Sequence, residues 1–187
     1  VVYGDTHNMR DLQSKYGLLS KEPGYHLLKQ SAQIIGTWDD HDYGWNDAGK
    51  HYSKKDSSQQ LFLDFLQVSA DDAVRQREGV YSSHLFGEHP IQTKVILLDA
   101  RFFRDTVISD PDPSRRYTRN ETGDVLGEAQ WNWLSRELEE SQADVHILGS
   151  GIQVIPEEHG WEKWANFPKS QERLFELLRS LEPKNLL

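Results

Sequence analysis

Between Ile34 and Gly49 the chain reads IIGTWDDHDYGWNDAG, and no other stretch restricts its folding options as much. An apolar pair gives way at once to four acidic residues, one histidine and three large aromatic residues. Carboxylates crowded this closely repel one another unless a cation or a proton neutralises them. A chain that sets Asp39, Asp40 and Asp42 around His41 behind a buried strand therefore puts a charged turn at the mouth of a sheet. A solvated acidic turn is the plain alternative. The apolar lead-in, the central imidazole and the flanking aromatic residues favour metal chemistry over it.

There is no cysteine among the 187 residues, so thiolate sites and disulfides within this chain are excluded. A metal would be held by oxygen and imidazole, which suits calcium, magnesium, manganese, iron or zinc. The formal charge of −9 argues against a surface that tracks a nucleic-acid backbone. An acidic protein that meets an anionic substrate needs a cation or focused arginines to do so. No run approaches the ~18–20 apolar residues that cross a bilayer. The opening VVYGDTHN lacks the basic start and long apolar middle of a signal peptide and reads as the tail of a buried strand. The closing SLEPKNLL stops as a new apolar segment begins, so the chain is expected to be a fragment cut at both ends.

Periodicity predicts helices over 6–20, 25–31, 57–68, 128–140 and 168–182. Trp131, Leu134 and Leu138 mark the buried face of the fourth; Leu174, Leu177, Leu178 and Leu181 that of the last. Strands are expected over 32–37 and 145–155, and a hairpin from 79–87 and 93–98. Gly149 and Gly151 allow a close backbone approach or a bulge. Residues 99–123, rich in Asp, Arg, Pro and Ser, read as a long irregular segment of the kind that often carries function. Strands alternating with amphipathic helices imply an α/β layered domain, whose ligands sit beyond the carboxyl ends of strands. Three polar clusters fall there: Asp39 to Asp42, Asp99 to Arg104, and the region from Gln153 onward.

Within Asp40-His41-Asp42, Asp40 can ligate a hard cation while His41 donates a proton to a leaving oxygen. Asp42 can orient the imidazole and raise its pKa. An EF-hand starting at Asp40 fails, because its fifth and twelfth positions are Gly44 and His51. A haloacid-dehalogenase-type phosphatase would read DHDYG as D-x-D-x-[TV], but the last position is glycine. Arg101 and Arg104 can contact phosphate through bidentate hydrogen bonds; an Asp99–Arg101 pair that pins the loop is equally open. Trp161 and Trp164 fit a core or a cleft rim, and His84 and His146 read as packing residues on strands.

The run TWDDHDYGWNDAG resembles the metal-site signature of the alkaline phosphatase D family, within the calcineurin-like metallophosphoesterase superfamily. YGDT, SQQLFLDFL, LLDARFFRD, LGEAQWNWL, GSGIQV and HGWEKWANFP resemble further family segments in the expected order. The resemblance implies a single metallophosphatase domain over 1–187, a two-sheet sandwich flanked by helices, here incomplete. It implies a dinuclear metal centre with iron and calcium, and hydrolysis of phosphate mono- or diesters by attack of an activated hydroxide on phosphorus. It makes Asp40 a metal ligand, gives His41 a proton-donor or oxyanion role, and makes Asp42 its orienting partner. Tyr3 becomes a ligand of ferric iron if Gly-Asp precedes Val1. The family's Gly-Asp-x-His segment and its earliest ligand motif do not occur in this stretch, so the fragment alone is expected to turn over weakly or not at all. Two alternatives stand beside the hydrolase: a non-catalytic metal- or partner-binding remnant of the same fold, and the haloacid-dehalogenase type. Family members are commonly exported, which implies an extracytoplasmic location.

Overall fold

The structure is a computed structural model that describes residues 5–88 and 90–187. Helix α1 (Met9–Lys21) begins three residues later than expected, where the Asn8 side chain accepts the Arg10 N–H at 3.0 Å. Leu12 and Tyr16, one turn apart, carry its buried face. Pro23 opens α2 (Pro23–Ser31) in the first turn, where its missing N–H costs nothing. The next segment departs from expectation. Residues 32–37 belong to no strand, and Ile34 and Ile35 are only half-buried. Both flanks of the strand they approach are already occupied, so Thr37 reaches it through its side chain, Oγ1 donating to the Leu98 carbonyl at 2.8 Å.

The acidic run then forms a single turn, α3 (Asp40–Tyr43), and α4 (Lys55–Phe65) follows, burying Phe62 and Leu63. Strands β1 (Ser82–Phe86) and β2 (Thr93–Leu98) pair antiparallel as the expected hairpin, with Ser82 opposite Leu97. The irregular segment after β2 holds only a two-stranded ribbon, β3 (Ile108–Ser109) with β4 (Tyr117–Thr118). Helix α5 (Gly127–Glu139) carries the chain back so that β5 (Val145–Ser150) pairs parallel to β2. Helix α6 (Pro168–Leu181) follows, and the final residues return beside β5, Leu187 N–H donating to the His146 carbonyl at 2.9 Å.

One face of the β1–β2–β5 sheet packs on α5 and α6. Ile96 and Leu98 share a core there with Trp131, Leu134, Leu138 and Leu174. Each such side chain withdrawn from water contributes about 1.5–3 kcal/mol. A second cluster, around Trp38, Tyr43, Tyr52, Phe62 and Phe102, joins α1, α3 and α4 to the segment after β2. The chain is thus mixed α/β, with small sheets and helices. His146 is a buried strand histidine, hydrogen-bonded at 2.8 Å to Ser141 Oγ and to the Lys184 carbonyl. No helix among the described residues is long and apolar enough to cross a membrane.

Candidate metal centre

Asp99, the first residue beyond β2, is fully buried and anchors the acidic turn. Its carboxylate accepts Trp38 Nε1–H at 2.7 Å and the backbone N–H groups of Val80 (2.9 Å), Arg101 (2.9 Å) and Phe102 (3.0 Å). Four donors on one carboxylate satisfy a charge that burial alone would make costly. The end of β5 arrives at the same place. A Cβ on Gly151 would collide with the Trp38 carbonyl oxygen, so only glycine lets the two backbones meet so closely. Within α3, the Asp42 carboxylate accepts the Asp39 N–H at 3.3 Å as half of a capping box, and Gly44 ends the turn at φ 140 against Tyr52.

This packing opens a cleft of about 490 Å³ whose lining includes Asp39, Asp40 and His41, Arg101, and Gly151 to Gln153. The three polar clusters picked out beyond strand ends therefore meet in one place. Asp40, Asp47 and Glu162 each offer one carboxylate oxygen there, all within 4.8 Å of one another. Asp40 Oδ2 also accepts the Asp47 N–H at 3.0 Å. Asp47 is held at φ 54, a left-handed conformation that aspartate tolerates better than most residues.

Guanidinium groups surround the triad. Arg101 Nη2 lies 2.5 Å from Glu162 Oε2, and Arg104 Nη2 lies 2.6 Å from Glu162 Oε1. Arg101 Nε also donates to Asp39 Oδ1 at 3.0 Å, and Nη1 to the Ala48 carbonyl at 3.3 Å. Arg116 Nη2 lies 2.9 Å from Asp47 Oδ2, an oxygen that also accepts the Tyr117 hydroxyl. Burial pushes the Glu162 carboxyl up from its ordinary pKa, against the pull of Arg101 and Arg104. Burial would lower the Arg101 pKa, but Glu162 and Asp39 more than offset it and keep the guanidinium charged. Burial, aided by Asp47, pushes the Tyr117 phenol up to about 12, so at neutral pH it is a proton donor to that carboxylate.

Of the residues singled out in the sequence, Asp40 is a member of the triad. His41 lines the cleft with Nε2 3.8 Å from Asp40 Oδ1. Asp42 caps the turn that carries His41. Arg101 lines the cleft too, but its side chain is only 1% exposed and its partners are Asp39 and Glu162; Asp99 takes its backbone N–H. Tyr3 lies outside the described residues. Trp164 is core and Trp161 is an exposed rim residue. Sequence reasoning missed Asp47, Glu162 and Arg116 as site residues. Asp47 stood inside the acidic run, and Glu162 between two tryptophans was the available signal for a charge held in an aromatic setting.

The donor set fits a hard cation: three carboxylates and no soft ligand. Within that set Glu162 Oε1 already has the Arg104 guanidinium at 2.6 Å, so a cation there would share the carboxylate with an arginine. In comparison with known proteins, the sequence model of a family described as "PhoD-like phosphatase" matches residues 4–187. A solved structure described as "Structure of PhoD" superposes with a TM-score of 0.72 at 16% identity, covering 96% of this chain. At that identity the likeness shows the fold. The chain spans 38% of the length of that solved chain. No curated protein matches the sequence significantly.

Proposed function

This chain belongs to the PhoD-like phosphatase family, and from that premise we propose that its cleft forms part of the site of a metal-dependent phosphoric ester hydrolase acting on mono- or diesters. The observation that carries the reading is the convergence of Asp40, Asp47 and Glu162 within 4.8 Å beside His41. Those carboxylates would hold a hard cation, which supplies a Lewis acid for phosphoryl oxygens. Iron and calcium are the identities that the family resemblance suggests. His41 faces the cleft and is assigned the proton delivered to the leaving oxygen. Asp42 fixes the turn on which the imidazole is mounted. Arg101 acts on the substrate through the positive field it sets and by holding Asp39 and Glu162 in place. Tyr3 is retained as a further ligand.

Residues 1–187 are read as part of one metallophosphatase domain, and the sheet as one layer of a two-sheet sandwich. The support for the second layer is an apolar sheet face left half open, with Phe86 and Ile147 both more than a third exposed. A non-catalytic remnant is the second reading. It draws on the three guanidiniums, which already balance much of the triad's charge. Family membership sets aside the phospho-aspartate alternative.

Hydrolysis of bis-(p-nitrophenyl) phosphate by the full-length protein separates the two. The expected result is turnover that EDTA abolishes, with His41→Ala lowering kcat by about 10²-fold or more while metal content stays at the wild-type level. Unchanged turnover in that variant removes His41 from the reaction. A wild type that holds metal but never turns over leaves the remnant.

A further inference from the structure

Three arginines lie around the cleft, and they differ in freedom. Arg104 is fully buried; one Nη donates to the Asp105 carbonyl and the other to the Asp47 carbonyl, both at 2.6 Å, and the latter also meets Glu162. Arg101 has every guanidinium nitrogen engaged, by Asp39, Glu162 and the Ala48 carbonyl. Neither can turn toward a substrate without stripping a buried carboxylate of its counter-charge, a costly step. Arg116 is different. Its side chain is 42% exposed, it stands at the cleft wall just before β4, and Asp47 is its one ion-pair partner among the described residues.

The setting of Arg116 is that of a group held ready to move. Its guanidinium carbon lies 5.2 Å from the centre of the Trp161 ring, and Nε reaches the Tyr117 hydroxyl at 3.1 Å. Trp161 is itself 65% exposed on the cleft rim, so the indole gives the cation a shelf facing the opening. Its carboxylate partner is shared. Asp47 Oδ2 also accepts from Asn46 Nδ2 at 2.7 Å and from Tyr117, and Asp47 is one of the triad donors. A cation that takes Asp47 withdraws the negative charge that holds Arg116, while Tyr117 and Asn46 keep the carboxylate in place.

We infer that Arg116, resting on Trp161, is the residue that grips the substrate's non-bridging phosphoryl oxygens, exchanging Asp47 for the phosphate once a cation occupies the triad. A planar guanidinium matches two oxygens of a phosphate in bidentate fashion, which Arg101, with all its nitrogens engaged, cannot do. The exchange keeps local charge balanced: the cation replaces Arg116 at Asp47, and the incoming phosphate replaces Asp47 at Arg116. Arg116 and the cation therefore compete for one carboxylate, and losing the guanidinium should leave cation binding unchanged or tighter.

This inference rests on the hydrolase reading above, and inorganic phosphate provides a test that needs no turnover. In the full-length, metal-loaded protein, Arg116→Gln is expected to weaken calorimetrically measured phosphate binding by about tenfold or more, the loss of a charge-assisted pair. The KM for bis-(p-nitrophenyl) phosphate should rise in parallel while kcat changes less than about threefold. Arg116→Lys should fall between the two, keeping the charge but not the fork, and Trp161→Ala should shift KM in the same direction by less. Calcium affinity of Arg116→Gln should equal or exceed that of wild type. Equal phosphate affinity in wild type and Arg116→Gln overturns the inference, and so does weakened calcium binding, which would make Arg116 a support for the carboxylates. A wild type that binds phosphate through Arg116 yet hydrolyses nothing removes the hydrolase reading and leaves this one standing.

Discussion

Glu162 holds the cleft together from below. Two buried guanidiniums converge on its carboxylate, and its side chain is only 5% exposed. Replacing it with glutamine keeps the shape but leaves Arg101 and Arg104 facing a neutral amide. Removing one partner of a buried charge network costs about 3–5 kcal/mol, which for a domain of this size lowers Tm by roughly 10 °C. Glu162→Gln is therefore expected to melt well below wild type, and a Tm within a degree or two of wild type would show that the arginines find their counter-charge elsewhere. This residue was hard to read in the sequence for a physical reason. The charges that define its role come from Arg101 and Arg104, about sixty positions away, and only tertiary packing brings them together. Asp40 was proposed from the local acidic run, and Asp39 and His41 line the same cleft, but the carboxylates that meet it there are Asp47 and the distant Glu162. Arg101 was half legible: the sequence shows a guanidinium beyond a strand, but burial and its two carboxylates decide what the guanidinium can reach.

At the level of elements, local pattern carried most of the information. The faces of α5 and α6 follow the apolar spacing, with Trp131, Leu134, Leu138 and Leu174 buried as their periodicity requires. The β1–β2 hairpin follows alternation and the turn between its arms. Residues 32–37 misled because a short apolar run looks the same whether or not a neighbouring strand has a free edge. β2 has none, being flanked by β1 and β5. The acidic turn is positioned instead by the Asp99 anchor on Trp38 and by one backbone approach, Gly151 against the Trp38 carbonyl. Gly151→Ala must push β5 and the turn apart, and overpacking of this kind costs about 1–3 kcal/mol. Gly36→Ala serves as its control, since a Cβ there meets Leu66 Cδ2 at an ordinary 3.8 Å. Thermal melts with a calcium titration should show Gly151→Ala destabilised and weaker for calcium, with Gly36→Ala close to wild type. Equal behaviour of the two variants would mean that the strand end does not set the cleft.

The molecule as a whole is acidic, −9 in formal charge, and four carboxylates, Asp39, Asp40, Asp47 and Glu162, line one cleft. Three arginines balance them only in part. A protein so arranged gains stability from any cation that binds the folded triad and not the unfolded chain. At a concentration 100 times its Kd, such a cation stabilises by about 2.7 kcal/mol, or a rise in Tm of roughly 5–10 °C. Screening of the overall charge raises Tm as well, but it does so equally for any salt of the same ionic strength. The comparison that isolates the site is therefore between calcium, manganese or iron and sodium chloride at matched ionic strength, on the full-length protein stripped with EDTA. The specific increment should appear with the multivalent ion, disappear when EDTA is restored, and shrink to the sodium value in Asp40→Asn. If all the salts raise Tm alike, or if Asp40→Asn keeps the increment, the carboxylates of this cleft are balanced by their arginines alone, and the cation of the proposed hydrolytic reaction is held elsewhere.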